Sequence, residues 1–145
     1  MSSVAKNDND NNSKFLSTFT KNILDSHKSI RWVSIIDQNG IIINEHFREG
    51  LNPFLNPEEM DEFAKGSITR YKTRLKLESK MGKLIYLVRR HEKLSRSIIP
   101  INENYYLLFT MDFDQYDFDK IIMEKIIHLI KQEKEKFVTK KNESM

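Results

Sequence analysis

Residues 30–47 read IRWVSIIDQNGIIINEHF, two β-branched runs separated by Asp37-Gln38-Asn39-Gly40. An Asn-Gly pair between such runs is a strong local hairpin signal, because the turn needs a residue that tolerates positive φ. Asp37 suits the first position of a type I turn, and Gly40 suits the left-handed position that closes it. Strands are expected over 30–36 and 41–47, with residue 31 opposite residue 46.

Beyond the hairpin, Pro53 marks a loop and Asn56-Pro57-Glu58-Glu59 reads as a helix start. Asn56 is suited to cap, Pro57 to the first helical position, and Glu59 to return a bond to the cap backbone. At 100° per residue, Met60, Ala64, Ser67, Tyr71 and Leu75 share one face with Phe63 beside them, and Lys65, Lys72 and Lys76 lie opposite. The helix is expected over 57–80, with Gly82 as its terminator. Three strands follow, over 83–90, 94–101 and 105–111. The last is apolar at nearly every position, which suits a central strand covered on both faces. Pro100 cannot donate a ladder bond, so it is expected at a strand end or an edge. A closing helix is expected over 116–137, its apolar face built from Phe118, Ile121, Ile122, Ile126, Leu129 and Ile130.

Before the hairpin, Phe15, Phe19, Ile23 and Leu24 stand at helical spacing within 15–28. Residues 1–14 hold few apolar groups and read as a disordered tail; 139–145 read as a flexible tail. The folded unit is then a single domain over 15–138, in the order α-β-β-α-β-β-β-α. Five antiparallel strands with helices packed on them make an α+β fold.

Composition narrows function by exclusion. The 145 residues hold 24 Lys and Arg, 21 Asp and Glu, and no Cys. Disulfides, Cys-ligated zinc, Fe–S clusters and thiol nucleophiles are therefore excluded. No apolar run approaches the roughly 20 residues of a membrane span. The Asn- and Asp-rich start does not read as a signal or transit peptide, so a cytoplasmic protein is expected. There is no G-x-S-x-G elbow, no second His to complete a zincin motif after His91-Glu92, and no Gly-rich phosphate loop. His27 and His46, with Glu45 and Glu49, would meet at one sheet end, but no short spacing forces them to converge on a metal. Asp112, Asp114, Asp117 and Asp119 lack the Gly and final Glu of a calcium loop and read as the start of the last helix. No catalytic residue, metal site or cofactor is expected. Trp32, Tyr105, Tyr106 and Phe109 read as core, with an aromatic-lined pocket for a small ligand as the alternative.

The element order over 15–138 resembles the roadblock/dynein light chain group and its profilin-like relatives. Phe47-Arg48-Glu49-Gly50, Pro53, Leu55, Glu58-Glu59, Arg89-Arg90 and Ile99-Pro100-Ile101 are similar to small uncharacterised archaeal proteins. The resemblance carries no catalytic residues. It implies a non-enzymatic scaffold or regulatory domain that forms homodimers, often by joining sheets edge to edge, and that serves small GTPases as a platform or regulator. The strand 83–90 and the helix 57–80 would then lie at the interface, with Lys83, Ile85, Leu87 and Arg89 as the strand's contact residues. An unpaired antiparallel edge independently demands a partner, a cover or a guard.

Charge sets a condition on that interface. From residue 65 to residue 96 there are eleven Lys and Arg but only two acids, Glu78 and Glu92, a local net charge of +9. Two such surfaces repel across a symmetric interface unless the lysine stripe faces away or the acids of 112–119 face it. An alternative function follows: Lys65, Lys72, Lys76, Lys80, Arg89, Arg90 and Arg96 as contacts for nucleic acid or another polyanion. A third is a small-ligand sensor, since PAS- and GAF-like domains also join antiparallel sheets to helices.

Overall fold

The computed structural model describes residues 2–137. Helix α1 (Ser2–Asp25) leads to β1 (Ile30–Asp37) and β2 (Ile42–Phe47), then to α2 (Pro57–Thr73), a 3-10 turn (Leu75–Leu77) and α3 (Glu78–Met81). Strands β3 (Leu87–Arg90), β4 (Leu94–Pro100) and β5 (Tyr105–Asp112) follow. The last helical stretch comprises α4 (Phe118–Ile121), a π turn (Ile122–Ile126), α5 (Ile127–Glu133) and a 3-10 turn (Lys134–Lys136). All five strands form one antiparallel sheet in the order β2-β1-β5-β4-β3. The α+β class and the element order are those the sequence predicts, and β5 is the central strand.

Both faces of the sheet are covered, because the inner strands are apolar on both. Val33, Ile35, Leu107, Phe109 and Met111 pack with α1 and the C-terminal helices, through Phe19, Ile23, Ile122 and Ile126. Trp32, Ile36, Ile98, Tyr106 and Leu108 pack on the opposite face against Met60, Ala64, Ile68 and Tyr71 of α2. Burying such a side chain stabilises the fold by about 1.5–3 kcal/mol, so two clusters of this size dominate the energetics.

The hairpin closes as its sequence dictates. The Gly40 amide donates to the Asp37 carbonyl (2.9 Å), and Asp37 Oδ1 accepts from the Asn39 and Ile41 amides. Gly40 has φ +79, and a Cβ there would lie 2.7 Å from Lys65 Cα, so this turn is seated on α2 at glycine contact distance. The register departs from the simple expectation: a bulge between Ile35 and Ile36 sets His46 opposite Val33, not Arg31. The bulge leaves Ile42 on the α2 side and turns Asn44 and His46 to α1, where Thr20 Oγ1 donates to Asn44 Oδ1 and His46 Nε2 lies 3.1 Å from Ser17 Oγ.

Asn56 and Glu59 form the reciprocal capping box that opens α2, each bond 2.9 Å long. The C-terminal end of α1 is capped from outside. Arg48 Nη2 donates to the carbonyls of Leu24 and His27, both at 2.8 Å, and Nε donates to the Ile30 carbonyl. A guanidinium there satisfies orphan carbonyls and opposes the negative end of the helix dipole.

Three boundaries differ from the sequence reading. Helix α1 is helical from Ser2, where residues 1–14 had read as a tail. That stretch holds neither Pro nor Gly, so the turns packed from Leu16 onward extend backward without a breaker. The long helix expected over 57–80 ends at Thr73 and continues as a 3-10 turn and α3, which Gly82 stops at φ +86. Strand β3 begins at Leu87, not at residue 83. Leu87 pairs with Ile98, so an extended ladder would set Ile85 against Pro100, which has no N–H. The tail expected over 139–145 lies outside the described residues.

Gly40→Ala should lose about 2 kcal/mol or more in urea unfolding, from left-handed strain plus overlap with the α2 backbone. Gly50→Ala, at φ +80 with nothing within 4 Å of its Cβ, should lose only about 1 kcal/mol. Equal losses would show that the seat of the turn on α2 contributes nothing.

Candidate functional site

Two features stand apart from the packed core. The first is the β3 side of the sheet. Strand β3 pairs with β4 alone and terminates the sheet. Just before it, Leu77, Met81 and Ile85 line one groove with Leu84, Gly82 and Tyr86, a cavity of about 250 Å³. These three side chains are 45, 78 and 52% exposed, values that mark an uncovered apolar patch at the foot of the strand. Arg74, Glu78 and Lys83 stand among them. Of the expected interface residues, Leu87 and Arg89 lie on β3, while Lys83 and Ile85 lie in the segment leading into it. Leu87 is half-buried against the α2-side core and Ile85 is not, so only Ile85 offers apolar surface freely.

The second feature is a cleft of about 260 Å³ on the α2 side of the sheet. Trp32, Thr110, Leu94 and Arg96 contribute from the strands, Met60 and Phe63 from α2, and Leu51, Pro53, Phe54 and Leu55 from the loop before α2. The loop is pinned by Arg31, whose guanidinium pairs with Asp112 at 2.9 Å and lies 4.7 Å from the Phe54 ring centroid. Arg31, His91, Lys93 and Arg96 bring the polar groups to the cleft together with Thr110, and among the described residues no Asp or Glu lines it.

Arg96 is the most deeply placed cation, 9% exposed. Its guanidinium lies 4.8 Å from the Phe63 ring centroid. Burial, then the neighbouring Arg70 and Arg89, push its pKa down to about 10, which leaves it charged at pH 7. His91 is held below its ordinary 6.5 by burial first, then by Arg96, Arg89 and Arg70. Arg89 faces Arg96 across the β3–β4 ladder.

The structure divides the expected polyanion contacts. Arg89 and Arg96 come together beside Arg70 on the α2 side. Arg90 turns elsewhere: it donates to the Phe113 carbonyl and stacks 4.6 Å from the Tyr116 ring centroid. Lys72 donates to the Gln38 carbonyl at 2.7 Å, tying α2 to the hairpin. Lys65 lies on α2 beside Gly40, Lys76 in the 3-10 turn and Lys80 in α3. The described residues contain three ion pairs, and none includes a residue of 65–96.

The histidines do not converge. His27 lies 2.8 Å from Ser29 Oγ and His46 meets Ser17; among the described residues no His, Asp and Glu group is arranged to hold a metal. Asp112 is spent on Arg31, and Asp119 accepts from the Tyr86 hydroxyl, whose pKa is pushed up to about 12 by burial and then by that carboxylate. Among the described residues no helix is long and apolar enough to cross a membrane. Of the four aromatics the sequence offers for a ligand pocket, only Trp32 lines this cleft, and its other members were missed. Its aromatic members are scattered from Trp32 to Phe63, and the available signal was the pair Arg89 and Arg96, seven residues apart on strands joined by a short turn.

The sheet order and the two-sided helical cover define a roadblock-like fold. No family model matches the chain, and no curated protein matches it in sequence. Solved structures match in shape. One is a Roadblock/LC7 domain from Streptomyces avermitilis, with a TM-score of 0.67 at 11% identity, over 86% of this chain and 98% of that one. Another is the gliding protein MglB from Thermus thermophilus, with a TM-score of 0.61 at 15% identity, over 81% of this chain and 82% of that one. A structure of MglB in a tetrameric arrangement has a TM-score of 0.64 at 15% identity, over 85% of both chains.

The His91 imidazole should titrate below 6.5 when followed by NMR, with Arg96→Gln moving the midpoint upward by removing one repelling cation. An unchanged midpoint in that variant would separate His91 from the arginine cluster.

Proposed function

We propose that the chain is a non-catalytic scaffold or regulatory domain of the cytoplasm. It pairs with a second copy through the β3 edge and presents the assembled surface to a protein partner, a small GTPase by the roadblock resemblance. The observation that carries the pairing is the coincidence of an uncovered strand edge with three exposed apolar side chains, Leu77, Met81 and Ile85, in one groove beside it. An unpaired edge supplies backbone donors and acceptors, and the groove supplies apolar area to bury. The resemblance to solved structures contributes the fold and no function, so the self-pairing stands on this surface.

Light scattering across the micromolar range should give a dimer mass. Ile85→Lys should weaken the dimer at least about tenfold while leaving stability within about 0.5 kcal/mol, as expected of an exposed position. A monomer mass throughout overturns the pairing. The +9 segment adds a distinguishing sign: like charges brought together repel less in salt, so the dimer should tighten as ionic strength rises.

The polyanion reading draws on residues 65–96 forming no ion pair among the described residues. It makes the opposite forecast, retention on heparin that weakens steeply with salt and falls when Lys65, Lys72 and Lys76 are replaced by Ala.

A further inference from the structure

Arg96 poses a problem of charge balance. The residue as a whole is nine-tenths buried, and it lines the cleft. Among the described residues it forms no ion pair and donates no side-chain hydrogen bond, and its described neighbour is the face of Phe63. None of its side-chain nitrogens is among the buried atoms that lack a partner, so the planar fork of five N–H donors opens to the water of the cleft. Arg70 and Arg89 stand close enough to disfavour its charge further. Among the described residues, then, the surroundings of Arg96 supply a cation–π contact and repulsion, but no counter-charge.

The rest of the cleft states what would supply one. Trp32, Phe47, Phe54 and Phe63 give it apolar walls, Lys93 adds a second positive charge, and no acid lines it among the described residues. Its volume, about 260 Å³, lies near the lower end of small-ligand sites, roughly 300–1,000 Å³. An apolar body would lie against the rings, and an oxyanion would meet the Arg96 fork, which matches carboxylate and phosphate geometry. We propose that this cleft is a binding site for a small organic anion, with an apolar body among the aromatic rings and a carboxylate or phosphate head on Arg96. The cleft and the apolar groove beside β3 have separate linings: Ile85, Met81 and Leu77 do not line the cleft.

The chain has a single tryptophan, Trp32, and it lines the cleft, so its fluorescence reads occupancy directly. Octanoate, octyl phosphate and uncharged octanol are titrated into the full chain. Saturable one-to-one changes are expected for the anions, with octanol at least about tenfold weaker. The stronger of octanoate and octyl phosphate identifies the head group as carboxylate or phosphate. Arg96→Gln should cost at least about tenfold in anion affinity. Lys93→Gln, on the rim, should weaken both anions by a smaller factor and leave octanol unchanged. Ile85→Lys should bind the anions as the parent does. Octanol binding as tightly as octanoate overturns the proposal, as does the lack of saturable binding by either anion below about 1 mM. If Arg96→Gln fails to fold by circular dichroism, the octanol comparison and Lys93→Gln decide the matter. Light scattering on the same samples keeps a failed cleft distinct from a failed dimer.

Discussion

The architecture depends on one constraint: β1 and β5 carry large apolar side chains on both faces. Val33, Ile35, Leu107 and Phe109 on one side, and Trp32, Ile36, Tyr106 and Leu108 on the other, cannot all be hidden by a single layer of helices. A sheet with such strands at its middle needs cover above and below. Helix α1 and the C-terminal helices provide one cover and α2 the other, with two anchors fixing their positions. Arg48 ties the end of α1 to the start of β1, and the hairpin turn at Gly40 rests on the backbone of α2.

Much of this was legible because local and global signals agree. The Asp37–Gly40 turn, the Asn56 capping box, the buried stripe of α2 and the largely apolar β5 each announce themselves in a few residues. What escaped depends on relations between distant residues. The bulge between Ile35 and Ile36 comes from matching β2 to α1 through Asn44 and His46, which no window of the strand reveals. The late start of β3 comes from its partner, since the ladder stops where Pro100 would have to donate. The role of Arg48 is equally invisible locally, because its acceptors belong to Leu24, His27 and Ile30.

The positive segment was visible as a run but not as an arrangement. Read linearly, residues 65–96 suggested one continuous basic surface. Folding sorts them by direction. Strand alternation sends Arg90 to the Phe113 and Tyr116 side and leaves Arg89 with Arg96 on the α2 side. Lys72 is occupied by a hairpin carbonyl. The concentrated part is therefore a small knot of guanidinium groups under α2, where one member is nearly enclosed. Spacing shows where charges are, but only packing shows which of them are gathered together.

Pro100 has a consequence beyond the length of β3. With the ladder held to Leu87–Arg90 and two arginines within those four residues, the margin of the sheet is too brief and too highly charged to template endless stacking of further chains. A proline on the neighbouring strand thus acts as a safeguard against fibril growth. It limits what can anneal there to a partner that brings matching side chains as well as a backbone.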